Sequence, residues 1–156
     1  MALHSARILL AVLALFVIGG VARAVTTERI VVDPMTGLAL NGYDPVAYFV
    51  DGEPRLGSSD FEIAFEGAYW RFANKGNMEA FQSAPDIYKP RFGGYDALAV
   101  ARGSVAPGNP HVWTIHEQRL YFFLSPSART IWKMDASAFA RDGEHRWPAL
   151  ENSLPR

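Results

Sequence analysis

One stretch of the chain alternates apolar and polar side chains with the period of a β-strand on either side of a short polar turn. Residues 61–65 and 68–72 alternate in this way across residues 66–67. Because a strand that alternates buries one face, this stretch predicts an antiparallel hairpin. Residues 112–116 and 120–124 are two segments rich in apolar side chains that flank a three-residue polar turn, and they predict a second hairpin.

Shorter apolar segments predict further strands. Residues 38–40 lead into Asn41-Gly42, a pair favoured in type I′ turns, which predicts a third hairpin. Residues 46–50 are β-branched and aromatic, and residues 95–101 are short and apolar, so both segments are expected to be strands. Gly93-Gly94 predicts a sharp turn or a close approach to another backbone.

Side chains that cap helices predict three helical segments. Asn74 begins a helix that extends to about residue 83, and Ser125-Pro126 begins one that extends to about residue 134. Asp135 begins the last helix, which Pro148 is expected to end. The residues show no internal repeat. We therefore expect an α+β fold: a small single domain whose antiparallel sheet is built from hairpins, with short helices packed on it.

The N-terminal segment has the features of an export signal. Residues 8–18 are an unbroken apolar run, too short for a typical bilayer-spanning helix. Ala22-Arg23-Ala24 supplies the small residues that signal peptidase requires. The sequence predicts a cleavable signal peptide at residues 1–24, a single domain at 25–156, and a periplasmic or secreted location. An uncleaved N-terminal anchor is the alternative interpretation.

Composition excludes several kinds of chemistry. The chain has no cysteine, so disulfides, thiolate metal sites and cysteine nucleophiles are ruled out. Its formal net charge of −1 provides no basic surface of the kind that binds nucleic acid. The sequence also lacks the Gly-x-Ser-x-Gly and His-Glu-x-x-His motifs and a phosphate-binding glycine loop.

Several motifs occur in an order that resembles a known family. They are Gly42-Tyr43-Asp44-Pro45-Val46-Ala47-Tyr48-Phe49, Tyr69-Trp70-Arg71-Phe72, Phe92-Gly93-Gly94-Tyr95, Asn109-Pro110 and Trp147-Pro148. Together they resemble the longer, exported form of the YHS domain family. The resemblance implies a small extracytoplasmic α+β domain, and shorter relatives are associated with heavy metals held by cysteines. In the long form a cysteine usually follows Gly-Gly-Tyr, whereas this chain has Asp96 there.

Five residues are candidates for a binding site. Tyr43, Asp44, Tyr95 and Asp96 are expected to bind a ligand around the Gly-Gly turn, and Asp96 with His111 could hold a divalent metal ion through oxygen and nitrogen. A buried carboxylate needs such a partner. Each aspartate has an alternative role, since aspartates at bends commonly accept hydrogen bonds from nearby backbone amides.

Three classes of function follow from these observations. The first is a non-enzymatic, exported YHS-like domain that binds a small ligand or a metal ion. The second is an interaction module that docks a protein of the cell envelope. The third is a small enzyme, for which the sequence shows neither a nucleophile–base pair nor a cofactor motif. None of the three involves nucleic acid, and no stable membrane span is expected after signal cleavage.

Overall fold

The computed structural model describes residues 29–155, so the predicted signal peptide and its cleavage site lie outside the described residues. The described chain forms strands and helices in mixed order. The strands are β1 (Ser58–Phe65), β2 (Ala68–Phe72), β3 (Asn109–His116) and β4 (Arg119–Phe123). The helices are α1 (Ala47–Val50), α2 (Lys75–Ser83), α3 (Pro85–Tyr88), α4 (Ala97–Ala101), α5 (Pro126–Met134) and α6 (Ala136–Ser153), with 3₁₀ segments at Leu40–Gly42 and Arg91–Gly94.

The two predicted hairpins are confirmed. Strand β1 pairs antiparallel with β2, and β3 pairs antiparallel with β4. Both hairpins turn through two residues with positive φ, Glu66-Gly67 and Glu117-Gln118, as a type I′ turn requires. The α+β class and the single small domain are confirmed too. The hairpins form two separate two-stranded sheets in the described chain.

The three predicted helix starts are also confirmed. Asn74, Ser125 and Asp135 each accept a hydrogen bond from the backbone amide three residues later, at the beginning of α2, α5 and α6. Such a side chain satisfies one of the amides that an α-helix leaves unpaired at its N-terminus. These bonds are local in sequence, which explains why the residue pattern was sufficient to find them.

Two of the predicted strands are wrong. Residues 46–50 and 95–101 contain the short helices α1 and α4 instead. A short apolar run does not distinguish a buried strand from a buried helix by its periodicity. The predicted hairpin at Asn41-Gly42 is also wrong, because Leu40–Gly42 is a 3₁₀ segment in which Leu40 and Asn41 have positive φ.

The predicted end of the last helix is wrong as well. Helix α6 continues through Pro148 to Ser153. Proline removes one backbone donor from a helix, but neighbouring contacts can outweigh that loss. The described chain has two hydrophobic cores, one around Trp70 and Phe81 and a second around Tyr121 and Trp132. The C-terminal part of α6 is held in place by Trp147, Leu150 and Leu154, which pack in the second core. No helix within residues 29–155 has the length and apolar content needed to cross a bilayer.

The fold contains an internal repeat that the sequence analysis did not detect. Strands β1 and β2 and helix α2 recur later in the chain as β3, β4 and α5. Each of the three later elements begins the same number of residues after its earlier counterpart. Both hairpins also have a register irregularity at equivalent places in their first strands. Before each hairpin, a 3₁₀ segment leads into a short helix, α1 in one half and α4 in the other. Thus the domain consists of two similar halves.

Little of this repeat is visible as residue identity. The clearest trace is Gly-Tyr-Asp, which occurs at Gly42-Tyr43-Asp44 and again at residues 94–96. At other equivalent positions only size and burial are preserved: Phe81 of α2 and Trp132 of α5 are both fully buried in their respective cores. Since a core tolerates many apolar side chains of suitable volume, the repeat survives in the backbone after most identities have gone.

Gly93 is placed where no side chain fits. Its backbone has a φ of +60°, and a Cβ there would lie 1.9 Å from the carbonyl oxygen of Arg29. Its own carbonyl accepts a hydrogen bond of 2.8 Å from the amide of Val31. This close approach to another backbone confirms what the Gly-Gly pair predicted.

We expect Gly93→Ala to destabilise the protein far more than Gly67→Ala. Both glycines have positive φ, so each substitution costs about 1–2 kcal/mol in backbone strain. Only Gly93 meets another backbone, which adds roughly 1–3 kcal/mol. Urea unfolding of the two variants measures the difference, and equal losses of stability would contradict the close approach.

Candidate functional site

Asp44 is a fully buried carboxylate that accepts hydrogen bonds from two separate segments of the first half. Its Oδ1 accepts from the amide of Val46 at 2.8 Å, at the start of α1. Its Oδ2 accepts from the amide of Ala73 at 2.8 Å and from Asn77 Nδ2 at 2.6 Å. Ala73 directly follows β2, so Asp44 connects the start of α1 to the end of that strand.

Asp96 makes the same connection in the second half. Its Oδ1 accepts from the amides of Leu98 at 2.8 Å and Ala99 at 3.3 Å, at the start of α4. Its Oδ2 accepts from the amide of Leu124 at 3.0 Å, directly after β4. The side chain is buried, and its oxygens are used by backbone donors. Both aspartates therefore accept hydrogen bonds from nearby backbone amides, as the alternative role proposed, and also from donors far along the chain.

The structure brings two of the other predicted site residues, Tyr43 and His111, into direct contact. Tyr43 Oη and His111 Nε2 lie 2.7 Å apart at the surface, and their rings meet edge to face at 4.9 Å. Tyr95, the counterpart of Tyr43, is buried and packs against Trp147. Within residues 29–155, no hydrogen bond or ion pair joins His111 to Asp96. The described part of the chain also contains no cluster of three or more His, Asp or Glu side chains placed to hold a metal ion.

A hydroxyl near the Tyr43–His111 pair ties the two halves together. Tyr48 of α1 donates a hydrogen bond of 2.9 Å to the carbonyl oxygen of Pro110 in β3. Burial raises the pKa of Tyr48, so the phenol remains protonated and continues to donate. This arrangement is structural, because the hydroxyl is already bonded within the core.

A cavity lies elsewhere, between the two halves. It has a volume of about 240 Å³, and aromatic side chains from three elements line it: Trp70 of β2, Phe92 of the second 3₁₀ segment and Trp147 of α6. None of the five residues predicted to form a site lines this cavity. The lining also contains charged side chains, so the wall combines apolar and charged surface.

Five charged side chains also line the cavity, and three of them have ionic partners. Lys89 Nζ lies 3.0 Å from Glu66 Oε1. Arg91 is paired with Glu144 of α6, which is outside the lining. Burial opposes the charge on Lys89, but hydrogen bonds to Asp86 and Glu66 raise its pKa, so it stays protonated. These charges are therefore compensated by the protein itself.

The remaining two charged residues of the lining are not paired. Arg29 Nε is buried and has no hydrogen-bond partner within the described chain. Glu151 of α6 forms no ion pair within residues 29–155. A buried donor without an acceptor costs about 1–3 kcal/mol. Arg29 and Glu151 are thus the charged lining residues without an ion-pair partner within residues 29–155.

The cavity is not predictable from the sequence, for a physical reason. Its lining comes from segments far apart in the chain, from Arg29 to Glu151. Trp70 and Trp147 are indistinguishable from ordinary core residues in the sequence. The one local signal was Gly93, whose predicted backbone approach brings Arg29 to the cavity.

Comparisons with known proteins give a narrow result. The chain matches no protein-family model and no solved structure. Two curated proteins are similar to part of it: phospholipase A1-II 1 of Oryza sativa subsp. indica and phospholipase A1-II 1 of Oryza sativa subsp. japonica, each 34% identical over 98 residues. The similar region covers 55% of this chain and 23% of each rice protein, so the chain spans about a quarter of the length of these relatives.

We expect Asp44→Asn and Asp96→Asn each to lower the free energy of unfolding by about 1–3 kcal/mol, because an amide NH₂ would face a backbone N–H. Asp60→Asn is the matched control, since Asp60 is exposed, and we expect it to change stability by less than about 0.5 kcal/mol. Urea unfolding measures all three. If both buried variants kept full stability while losing affinity for a divalent metal, a ligand role would replace the structural one.

Proposed function

We propose that this protein is an exported, non-enzymatic YHS-like domain that binds a small ligand in the cavity between its two halves. The observation that carries the proposal is the cavity itself, with aromatic walls and an arginine and a glutamate that lack ionic partners. The predicted signal peptide supports a periplasmic or secreted location, and the ordered motifs support the family.

Between the two kinds of ligand expected from the sequence, the geometry favours a small molecule. The oxygens of Asp44 and Asp96 already accept backbone hydrogen bonds, which a metal ion would have to displace. The residues of the cavity include aromatic side chains and two unpaired charges, which suit an organic ligand with polar ends.

The rice relatives raise the question of lipid hydrolysis, and the site geometry does not favour it. In the described chain, the serine–histidine contact is Ser137 Oγ to His116 Nε2 at 3.3 Å. Glu117 Oε1 lies 3.6 Å from that same Nε2. In a hydrolytic triad the serine and the acid contact different ring nitrogens, which lets the imidazole pass a proton. We therefore do not propose phospholipase activity for this protein.

Tryptophan indole signals provide a direct test of the proposed cavity. The protein contains four tryptophans, of which Trp70 and Trp147 line the cavity, whereas Trp113 and Trp132 do not. We expect members of a library of small polar metabolites to shift the indole N–H resonances of Trp70 and Trp147 in ¹H–¹⁵N spectra. The resonances of Trp113 and Trp132 should stay in place.

Four single Trp→Phe variants assign the indole resonances, and an unfolding curve for each verifies that it is folded. A library that moves no indole resonance, or moves only those of Trp113 and Trp132, would count against ligand binding in this cavity.

A specific observation favours the interaction module as a second candidate. Ile131 and Met134 lie three residues apart on α5 and are both exposed, Met134 by 81%. The equivalent positions on α2 are Ala80 and Ser83, which are small. An exposed apolar pair that one half has and the other lacks is consistent with a contact surface.

In-cell photo-crosslinking tests this second candidate. A photoreactive residue at Met134 should give a discrete adduct with another protein, whereas the same residue at the equivalent Ser83 should give none. Identical results at the two positions would contradict a docking role for α5.

A further inference from the structure

We infer that the cavity between the two halves binds a small zwitterion, namely an α-amino acid with an apolar side chain. The inference rests on the proposed ligand-binding function and specifies its chemistry. Lys89 and Arg91 have carboxylate partners, so Arg29 and Glu151 are the lining charges that remain uncompensated. One free cation and one free carboxylate complement a ligand that carries one charge of each sign.

Arg29 is suited to the carboxylate of such a ligand. The residue lines the cavity, and its guanidinium forms no ion pair within residues 29–155. A guanidinium can bind a carboxylate through two parallel N–H···O bonds, and such charge-assisted pairs are stronger than neutral ones. The backbone position of Arg29 is held by its packing against Gly93, which permits no side chain there. The cation is thus presented at the cavity by a constrained segment.

Glu151 is suited to the ammonium group of such a ligand. Glu151 lies one helical turn after Trp147 on α6, so the two side chains project from the same face of the helix. Both line the cavity. A carboxylate attracts an ammonium directly, and an aromatic face attracts it through its quadrupole. Together they could hold the ammonium of the ligand.

The remaining walls indicate an apolar body of limited size. Ile30, Trp70 and Phe92 are buried residues of the lining. The volume of about 240 Å³ is below the roughly 300–1,000 Å³ of clefts that hold drug-sized ligands. A single amino acid with an aliphatic or aromatic side chain matches this combination of size, apolar walls and two opposite charges.

The test uses L-valine, L-leucine and L-phenylalanine as probes, each titrated up to millimolar concentration while the indole resonances of Trp70 and Trp147 are followed. We expect at least one probe to shift both resonances. The N-acetyl derivative of that probe lacks the ammonium and its amide derivative lacks the carboxylate, so each should bind at least tenfold more weakly.

Two variants test which charged group of the ligand Arg29 and Glu151 each bind. Arg29→Gln should weaken binding of the amino acid at least tenfold and leave binding of the amide derivative unchanged. Glu151→Gln should weaken binding of the amino acid at least tenfold and leave binding of the N-acetyl derivative unchanged. Arg102→Gln, an exposed position outside the cavity, is the control and should change neither.

The results separate this inference from the proposal on which it rests. If other small molecules shift the Trp70 and Trp147 resonances but the three amino acids do not, the inference of a zwitterionic ligand is wrong. The proposal that the cavity binds a small ligand then still holds. Equal affinity of an amino acid and its N-acetyl derivative would also overturn the inference, since the cavity would then recognise an anion alone. If nothing shifts these resonances, the proposed function itself fails.

Discussion

Strand β4 is buried on both faces, and the two halves of the domain are held together through it. Leu120 and Phe122 point into the core of the first half, whereas Tyr121 and Phe123 point into the core of the second. Full burial of one large apolar side chain contributes about 1.5–3 kcal/mol. Separating the halves would expose one face of this strand to water. The continuous apolar run in β4 is therefore the constraint on which the relative position of the halves depends.

The repeat explains why the same pair of residues, tyrosine followed by aspartate, occurs twice. In each half the aspartate caps a short helix and also accepts an amide at the end of the second strand of the hairpin. One carboxylate therefore fixes both the start of a helix and its distance from a strand. Asp44 and Asp96 satisfy backbone donors that would be costly to leave unpaired in the core.

The cavity forms where the two halves differ. Helix α3, which follows α2, has a single turn, whereas its counterpart α6 continues for 18 residues and carries Trp147 and Glu151 to the cavity. Trp70 comes from the first half and Phe92 from the second. Arg29 lies before the repeated elements, and Glu151 lies in the part of α6 that extends beyond the length of its counterpart α3.

The sequence by itself determined the features that depend on near neighbours. These are the two hairpins, from apolar segments on either side of polar turn residues, and the starts of α2, α5 and α6, from capping side chains. Only the tertiary structure decided the rest. Residues 46–50 and 95–101 contain helices instead of strands: Asp96 caps α4, and Asp44 accepts hydrogen bonds from amides at the start of α1. Helix α6 passes Pro148 because packing outweighs one missing hydrogen bond. The cavity depends on side chains that are far apart in the sequence, and no local residue pattern predicts that they lie close together in the fold.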